Sequence, residues 1–213
     1  MRINVGCGQT PTKGWMNFDN PFSIYLSKMP FLMILLYKLR LLEEPQYQFI
    51  KFCQLNHIEY GDATKRLPLE DGSIDAFYSS HMIEHLDQTD LGRVLKEARR
   101  VLCPGGIIRL VVPDLRKLAE QYIESRDADK FISSILLCQS APRRIIQKLR
   151  VMITGNRNHR WMYDGESLRG ILTSHGFLKA SVMPPGKTRI KNHESLDLKE
   201  REAESVYVEA ENP

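Results

Sequence analysis

Residues 2–20 read RINVGCGQTPTKGWMNFDN, and this stretch decides the fold. A short apolar run is followed by a Gly-Cys-Gly turn, a polar loop and a second apolar run that ends in Asp19. Nucleotide-binding α/β domains begin with a strand, a glycine turn and a second strand that ends in a carboxylate. The full three-glycine pattern is missing, because Gly6 and Gly8 are closely spaced but Gly14 comes late. The stretch suggests a nucleotide site, and the rest of the chain has to support it.

The length and composition predict a single domain, residues 1–213. A chain of 213 residues with 42% hydrophobic residues can bury one substantial core. The formal net charge of +4 does not by itself require a nucleic-acid partner. The cysteines are scattered, without a C-x-x-C pair or a secretory leader, so we expect reduced thiols in a cytoplasmic protein. They are Cys7, Cys53, Cys103 and Cys138.

The most apolar stretch is PFLMILLY at residues 30–37. It is followed at once by Lys38 and Arg40 and is much shorter than the roughly 20 residues that span a bilayer. We therefore expect no transmembrane helix.

Strand-like runs recur along the chain, most of them bounded by Gly, Pro, Asp or Asn. They lie at 2–5, 15–18, 57–60, 74–79, 107–112, 178–183 and 205–210. Helical patterns lie between several of them. This alternation predicts an α/β fold with a doubly wound, mostly parallel, seven-stranded sheet.

Two helical patterns are clear. The first can be capped by Asp87 or Thr89, and we expect Pro104-Gly105-Gly106 to stop it. Its apolar stripe is Leu91, Val94, Leu95, Ala98, Val101 and Leu102. The second has Asp164 as its expected N-cap and Gly176 as its C-terminal stop. Its inward residues are Leu168, Ile171 and Leu172.

Two segments interrupt the alternation, residues 20–55 and residues 126–160. The first is rich in Phe, Leu, Met and Tyr, and the second carries many basic residues. Ligands of open α/β sheets bind outside the carboxyl ends of the strands. We therefore interpret both segments as helical insertions over that edge, acting as lid or acceptor-site elements. The apolar run in the first segment is alternatively a homodimer surface.

Five segments together resemble the class I S-adenosylmethionine-dependent methyltransferases of the small-molecule type. They are INVGCG (3–8), WMNFD (15–19), IEYGDATKRLPLEDGSIDAFYSSHMIEHL (58–86), EARRVLCPGGIIRLVVPD (97–114) and ESVYVEAEN (204–212). The resemblance implies a Rossmann-like methyltransferase fold with S-adenosylmethionine as cofactor. The run NHRWMYDGESLRGILTSHGF (158–177) further resembles predicted methyltransferases associated with glycan and polysaccharide biosynthesis.

In this family the glycine turn, Gly6, Cys7 and Gly8, lies against the methionine part of the cofactor. Two missing side chains allow the backbone to approach a ligand closely, whereas a structural turn needs one glycine. The chain departs from the family pattern after this turn, because the loop between Gly8 and Gly14 is too short for a full first helix.

Two carboxylates follow neighbouring strands in the predicted sheet. Asp19 can accept both ribose hydroxyl protons, although it is alternatively the N-cap of the next helix. The resemblance implies that Asp62 accepts the adenine amino hydrogen while the backbone of Ala63 meets a ring nitrogen. The alternative for Asp62 is an Asx turn.

The run HMIEH at 81–85 also fits H-x-x-E-H, the signature of a class of zinc peptidases. That site needs a sustained helix carrying both imidazoles and a third ligand from a later helix. Here the run directly follows a strand and ends where the next helix begins. A zinc peptidase is thus the weakest alternative, and a non-catalytic S-adenosylmethionine-binding module is another.

A basic cluster lies in the second insertion without an acidic residue among its members. It consists of Arg143, Arg144, Lys148, Arg150, Arg157 and Arg160. It could bind RNA, a sugar phosphate or pyrophosphate, or a membrane surface, or it could be a solvated helix face. RNA is the weaker functional choice, because the aromatic residues of single-strand binders are missing.

The expected acceptor is a small polar molecule methylated on oxygen or nitrogen, with a glycan or nucleotide-sugar intermediate as first choice. Its phosphates would meet Arg143, Arg144 or Arg160. Its other side would be lined by His159, Trp161 and Tyr163, although Trp161 could equally belong to the core.

Methyl transfer is an in-line displacement at an activated sulfonium, so the protein mainly aligns the reactants, and we predict no metal. A hydroxyl acceptor gains from a general base, and an unperturbed imidazole has a suitable pKa of about 6.5. His81, just beyond the fourth strand, is the first candidate. His85 is the second and His159 the third.

Overall fold

One seven-stranded sheet organises the computed structural model, which describes residues 1–20, 23–137 and 158–213. Its strands are β1 (Arg2–Val5), β2 (Met16–Asp19), β3 (Glu59–Tyr60), β4 (Ile74–Ser80), β5 (Leu102–Pro113), β6 (Leu178–Met183) and β7 (Ser205–Glu211). Their order is β3-β2-β1-β4-β5-β7-β6, and all neighbours are parallel except the two pairs made by β7. The predicted α/β fold with a mostly parallel sheet is confirmed.

Seven helices are described in the same ranges. They are α1 (Ser23–Ser27), α2 (Pro30–Lys38), α3 (Glu44–Leu55), α4 (Gln88–Val101), α5 (Leu115–Ser125), α6 (Ala128–Ile135) and α7 (Gly165–Ser174). A single 3₁₀ turn, Ile83–His85, lies between β4 and α4. Residues 6–15 are all described and contain no helix, as the short loop after Gly8 predicts.

Helix α4 begins as predicted but ends earlier. The Asp87 side chain accepts a hydrogen bond from the backbone N–H of Asp90, so Asp87 rather than Thr89 is the cap. The helix ends at Val101, because Leu102 adopts extended backbone and pairs with Ile74 of β4. The predicted stop at 104–106 is wrong, since these residues form an irregularity inside β5.

Helix α7 follows its predicted pattern. The Asp164 side chain accepts from the N–H of Ser167, and Gly176 adopts φ +83° just after the helix. Leu168 and Leu172 are buried and Ile171 is partly buried. Together with the apolar stripe of α4, this helix covers one face of the sheet.

The other face of the sheet is covered mainly by the segment between β6 and β7. Ile190 and Leu196 of that segment pack with buried Trp15 against β4, β5 and β7. Arg109 of β5 and Glu209 of β7 form an ion pair inside this face, and both side chains are 0% exposed. A charged pair thus lies between β5 and β7, where the sequence pattern predicts apolar strands.

Residues 23–55 fold into helices, as the first insertion predicts. Buried Ile24 of α1 and Cys53 of α3 pack with Cys7 of the glycine turn, which places these helices beside the carboxyl ends of β1 and β3. Helix α2 has Met33 as its buried residue and exposes Phe31, which is 89% accessible. Exposed Ile34 and Leu35 extend this apolar surface.

Much of the second insertion lies outside the described residues. The predicted phosphate ligands Arg143 and Arg144, the other basic residues Lys148, Arg150 and Arg157, and Cys138 all belong to that part. In the described ranges, no helix has the length and apolar character needed to cross a membrane. Cys7, Cys53 and Cys103 are free thiols.

Candidate active site

The two glycines of the first turn have different surroundings. Gly6 has φ +70°, and a Cβ there would lie 2.3 Å from Cγ of Met82, so this glycine is required by protein packing. Gly8 has φ +50°, and no described atom beyond Gly8 and its two chain neighbours lies within 4 Å of the position that a Cβ would take. Gly8 is therefore the position where a ligand can approach the backbone.

Asp19 is held beside this turn by two backbone N–H groups. Gly8 donates to Oδ2 and Asn20 donates to Oδ1, each over 2.8 Å. Each carboxylate oxygen keeps a further acceptor site, which suits two ribose hydroxyls. Burial raises the pKa of Asp19, and the two N–H groups oppose that rise only in part. A carboxylate in this position costs folding free energy when it ionises.

We expect Asp19→Asn to weaken S-adenosylmethionine binding about 10- to 150-fold, because hydrogen bonds to a charged group contribute about 1.5–3 kcal/mol. The free protein should become more stable at neutral and alkaline pH. The pKa of Asp19 is higher in the folded than in the unfolded state, so its ionisation destabilises the fold as pH rises through the folded pKa. Calorimetric titration and thermal melts at two pH values measure both effects. Unchanged affinity would remove Asp19 from the cofactor site.

Cys7 contributes its backbone rather than its side chain to the turn. Its thiol is buried with Ile24, Cys53 and Ile58. Burial is the main cause that raises the thiol pKa, followed by the negative charge of Asp19 and by Cys53. The thiol is therefore unreactive, and any contact of this residue with a cofactor is made by main-chain atoms.

Asp62 forms the Asx turn that the sequence left as an alternative. Its Oδ1 accepts from the N–H of Thr64 over 3.0 Å and from the Thr64 hydroxyl over 2.6 Å, and Lys65 Nζ lies 3.2 Å from Oδ2. Burial would raise the pKa of Asp62, but these contacts outweigh it and lower the pKa. The neighbouring Gly61 N–H donates to the carbonyl of Asp19, so the ends of β2 and β3 adjoin. Ala63 is buried in the main core.

His81 directly follows β4 in the left-handed region, with φ +49°. Its backbone N–H donates to Val111 of β5, which fixes it at the carboxyl ends of the central strands. Its Nε2 lies 2.9 Å from Oγ of Ser205, and its Nδ1 lies 3.3 Å from Nη1 of Arg201 and 3.4 Å from Oε1 of Glu84. The first base candidate is thus largely buried and has neighbours at both ring nitrogens.

The three candidate histidines converge on Glu84. His85 Nε2 lies 4.0 Å from Glu84 Oε1, and the rings of His85 and His159 meet edge to face with centroids 5.1 Å apart. Burial is the main cause that lowers the pKa of His159, which favours its neutral form. Sequence reasoning missed the central position of Glu84 among these histidines. The local signal was its place in HMIEH, between the two histidines of the H-x-x-E-H pattern.

HMIEH does not have the geometry of a zinc peptidase motif. Residues 83–85 form a single 3₁₀ turn, so His81 and His85 do not share a helical face. The helix that follows begins at Gln88 with Asp87 as its cap, as the sequence indicates.

The residues predicted to line the acceptor separate into two groups. Tyr163 is buried in the main core, where its hydroxyl accepts from Gln88. Trp161 is 49% exposed and so does not belong to the core. Arg160 lies beside it and pairs with Asp87 over 3.3 Å. The backbone N–H groups of Arg160 and Trp161 both donate to the carbonyl of Glu84.

Comparison with known proteins shows similarity to methyltransferases. A family model described as a methyltransferase domain matches residues 4–110, about half of the chain. A methyltransferase dependent on S-adenosylmethionine from Archaeoglobus fulgidus is 15% identical and superposes with a TM-score of 0.51, over 99% of this chain and 85% of that one. A second from Methanosarcina mazei has the same identity and TM-score, over 99% and 91%. Similarity at this identity concerns the fold.

A curated relative matches only part of the chain. It is an uncharacterized 37.1 kDa protein in transposon TN4556 of Streptomyces fradiae, 43% identical over 65 residues. The match covers 30% of this chain and 18% of that protein.

Proposed function

We propose, because the chain belongs to the methyltransferase domain family, that it transfers a methyl group to oxygen or nitrogen of a small polar acceptor. A glycan or nucleotide-sugar intermediate is the first choice. S-adenosylmethionine is the cofactor of this family and supplies a methyl group on a sulfonium that is already activated. The open space at Gly8 suits its methionine portion, and the remaining acceptor sites on Asp19 suit its ribose.

The observation that carries this proposal is the contact between the glycine turn and the histidine segment. Met82 packs directly on Gly6, and the Ser79 hydroxyl donates to the carbonyl of Val5 over 2.9 Å. His81 is therefore fixed next to the turn that would hold the cofactor. Such proximity is the main requirement of a displacement reaction, in which alignment can contribute about 7–11 kcal/mol.

Trp161 and Arg160 support a sugar phosphate as the acceptor. An accessible indole face can pack on a sugar ring, and a guanidinium can bind a phosphate with two parallel hydrogen bonds. The backbone N–H groups of both residues donate to the Glu84 carbonyl, and the Glu84 side chain lies 3.4 Å from His81, the first candidate base. Arg143 and Arg144, which lie outside the described residues, stay the other predicted phosphate ligands.

An acceptor screen with labelled S-adenosylmethionine tests the proposal. We expect transfer to a sugar phosphate or nucleotide sugar and none to bulk RNA. Turnover on RNA alone would contradict the small-molecule proposal. Tight cofactor binding without transfer to any acceptor of the screen would instead indicate a non-catalytic binding module.

We expect helix α2 to act as a lid over the site. Its exposed face, which includes Phe31, Ile34 and Leu35, would exclude water when it closes. Hydrogen exchange of residues 30–38 should therefore slow when S-adenosylmethionine and acceptor are added, while the buried helix α4 serves as the internal reference. Protection that depends on protein concentration and not on ligand would contradict the lid and indicate a dimer surface.

A further inference from the structure

The Glu84 carboxylate is buried without a hydrogen-bond partner. Its side chain is 1% exposed, and neither oxygen accepts a hydrogen bond from any residue that the structure describes. The groups around it are ring nitrogens, at 3.4 Å in His81 and 4.0 Å in His85. A buried carboxylate of this kind costs several kcal/mol unless a cation compensates it. The position therefore calls for a cation beside the carboxylate.

Two imidazoles beside Glu84, those of His85 and His159, are oriented in the way that is common for metal ligands. Nδ1 of His85 lies 3.0 Å from the carbonyl of Asn158, and Nδ1 of His159 lies 3.0 Å from the carbonyl of Ile135. A carbonyl oxygen can only accept, so each Nδ1 must carry the proton and donate it. Each Nε2 is then left with a free lone pair. Histidines that bind metals are commonly held in this way, by a backbone carbonyl at the second ring nitrogen.

We propose that Glu84, His85 and His159 bind a divalent transition-metal ion, with Zn²⁺ as the ion that best fits two imidazoles and one carboxylate. One ligand atom from each residue lies within 4.8 Å of the others. Zinc bonds of about 2.0–2.2 Å place tetrahedral ligands about 3.4 Å apart, so the three side chains need to approach by about 1 Å. Three protein ligands leave one tetrahedral position for a water molecule.

The backbone around the site is fixed in a way that suits this role. The N–H groups of Arg160 and Trp161 donate to the Glu84 carbonyl over 2.7 and 3.1 Å. The 3₁₀ turn that carries two ligands is thus joined to the segment that carries the third. This donor set differs from the prediction of no metal, which rested on the chemistry of methyl transfer alone. It also differs from a peptidase site, because Glu84 is a ligand and His81 is not.

Metal analysis of the full chain tests the proposal. Protein stripped with a chelator and dialysed against Zn²⁺ should retain one equivalent, and Co²⁺ in its place should give the visible absorption of a site with nitrogen ligands. Excess Mg²⁺, which prefers oxygen ligands, should not displace Zn²⁺. Wild-type protein that retains no zinc, or that exchanges it for Mg²⁺, would overturn the proposal. These measurements involve no variant that could fail to fold.

Variants then identify the ligands. Glu84→Gln and His159→Gln should each weaken Zn²⁺ binding by at least about 10-fold, because each removes one of three ligands. His193→Gln is the matched control, since His193 lies outside the cluster, and it should bind as wild type does. Circular dichroism confirms that each variant is folded. Full zinc affinity in either ligand variant would overturn the assignment. Because the readout is metal content, it is independent of whether the protein transfers methyl groups.

Discussion

His81→Ala is expected to lower turnover about 10²- to 10⁴-fold while S-adenosylmethionine binding stays nearly unchanged. The imidazole lies just beyond β4, beside the glycine turn, and we propose it as the base that takes a proton from an acceptor hydroxyl. Its Nδ1 lies 3.3 Å from the Arg201 guanidinium, which can only donate, and 3.4 Å from the Glu84 carboxylate, which can only accept. The loss should appear in kcat.

A second substitution separates this role from a structural one. His81 has a positive φ, and asparagine adopts that conformation more readily than alanine does. His81→Asn should therefore keep the local backbone and still lose turnover. Equal melting temperatures for wild type and His81→Asn would show that the fold is intact. Unchanged turnover with the true acceptor would remove His81 from the mechanism and leave catalysis to alignment.

Glu209→Ala is expected to lower the free energy of unfolding by about 3–5 kcal/mol. Nη1 of Arg109 donates to Glu209 over 2.8 Å inside the sheet, and the Thr188 hydroxyl and the Arg189 N–H also donate to this carboxylate. Removing the carboxylate leaves the Arg109 guanidinium buried and unpaired. The segment between β6 and β7 would lose the anchor that holds it on the sheet. Urea denaturation of both proteins measures the difference.

The same strand offers a matched control. Glu211 of β7 pairs with Lys179 over 2.9 Å, but the lysine is 68% exposed. An exposed pair contributes about 0–1 kcal/mol, so Glu211→Ala should have a small effect. Similar losses in the two variants would contradict a special role for the buried pair. Replacing both partners, as Arg109→Met with Glu209→Leu, should recover part of the stability, because no unpaired guanidinium is left inside the sheet, while the contacts of Thr188 and Arg189 with Glu209 stay lost.

Features that depend on neighbours in the sequence were predictable. Asp164 was correctly predicted as a cap, and Asp87 was one of two candidates for the other, since a cap acts within three residues of its own position. The strands were found because buried parallel strands read as short apolar runs. The end of α4 was misplaced, since the chain passes straight into β5 and the Pro-Gly-Gly sequence marks a bulge rather than a helix stop.

Features that depend on distant residues were not predictable. Arg109 and Glu209 are 100 positions apart, and each reads as a single charge in an apolar strand. The approach of His159 to Glu84 likewise results from the fold. The resemblance directed attention to Asp62 as an adenine ligand, while its local contacts with Thr64 and Lys65 are those of a turn. Its contact with adenine stays a prediction.

The two tryptophans differ in exposure, so their fluorescence can be distinguished without a label. Trp15 is buried, edge-on to Tyr78, with the Arg2 guanidinium 5.5 Å from its ring centre. Trp161 is half exposed, and its backbone N–H donates to the Glu84 carbonyl. A soluble quencher such as acrylamide should therefore reach one emitter and spare the other. Trp161→Phe isolates the signal of Trp15, and the difference between the two spectra follows events beside Glu84 without any attached dye.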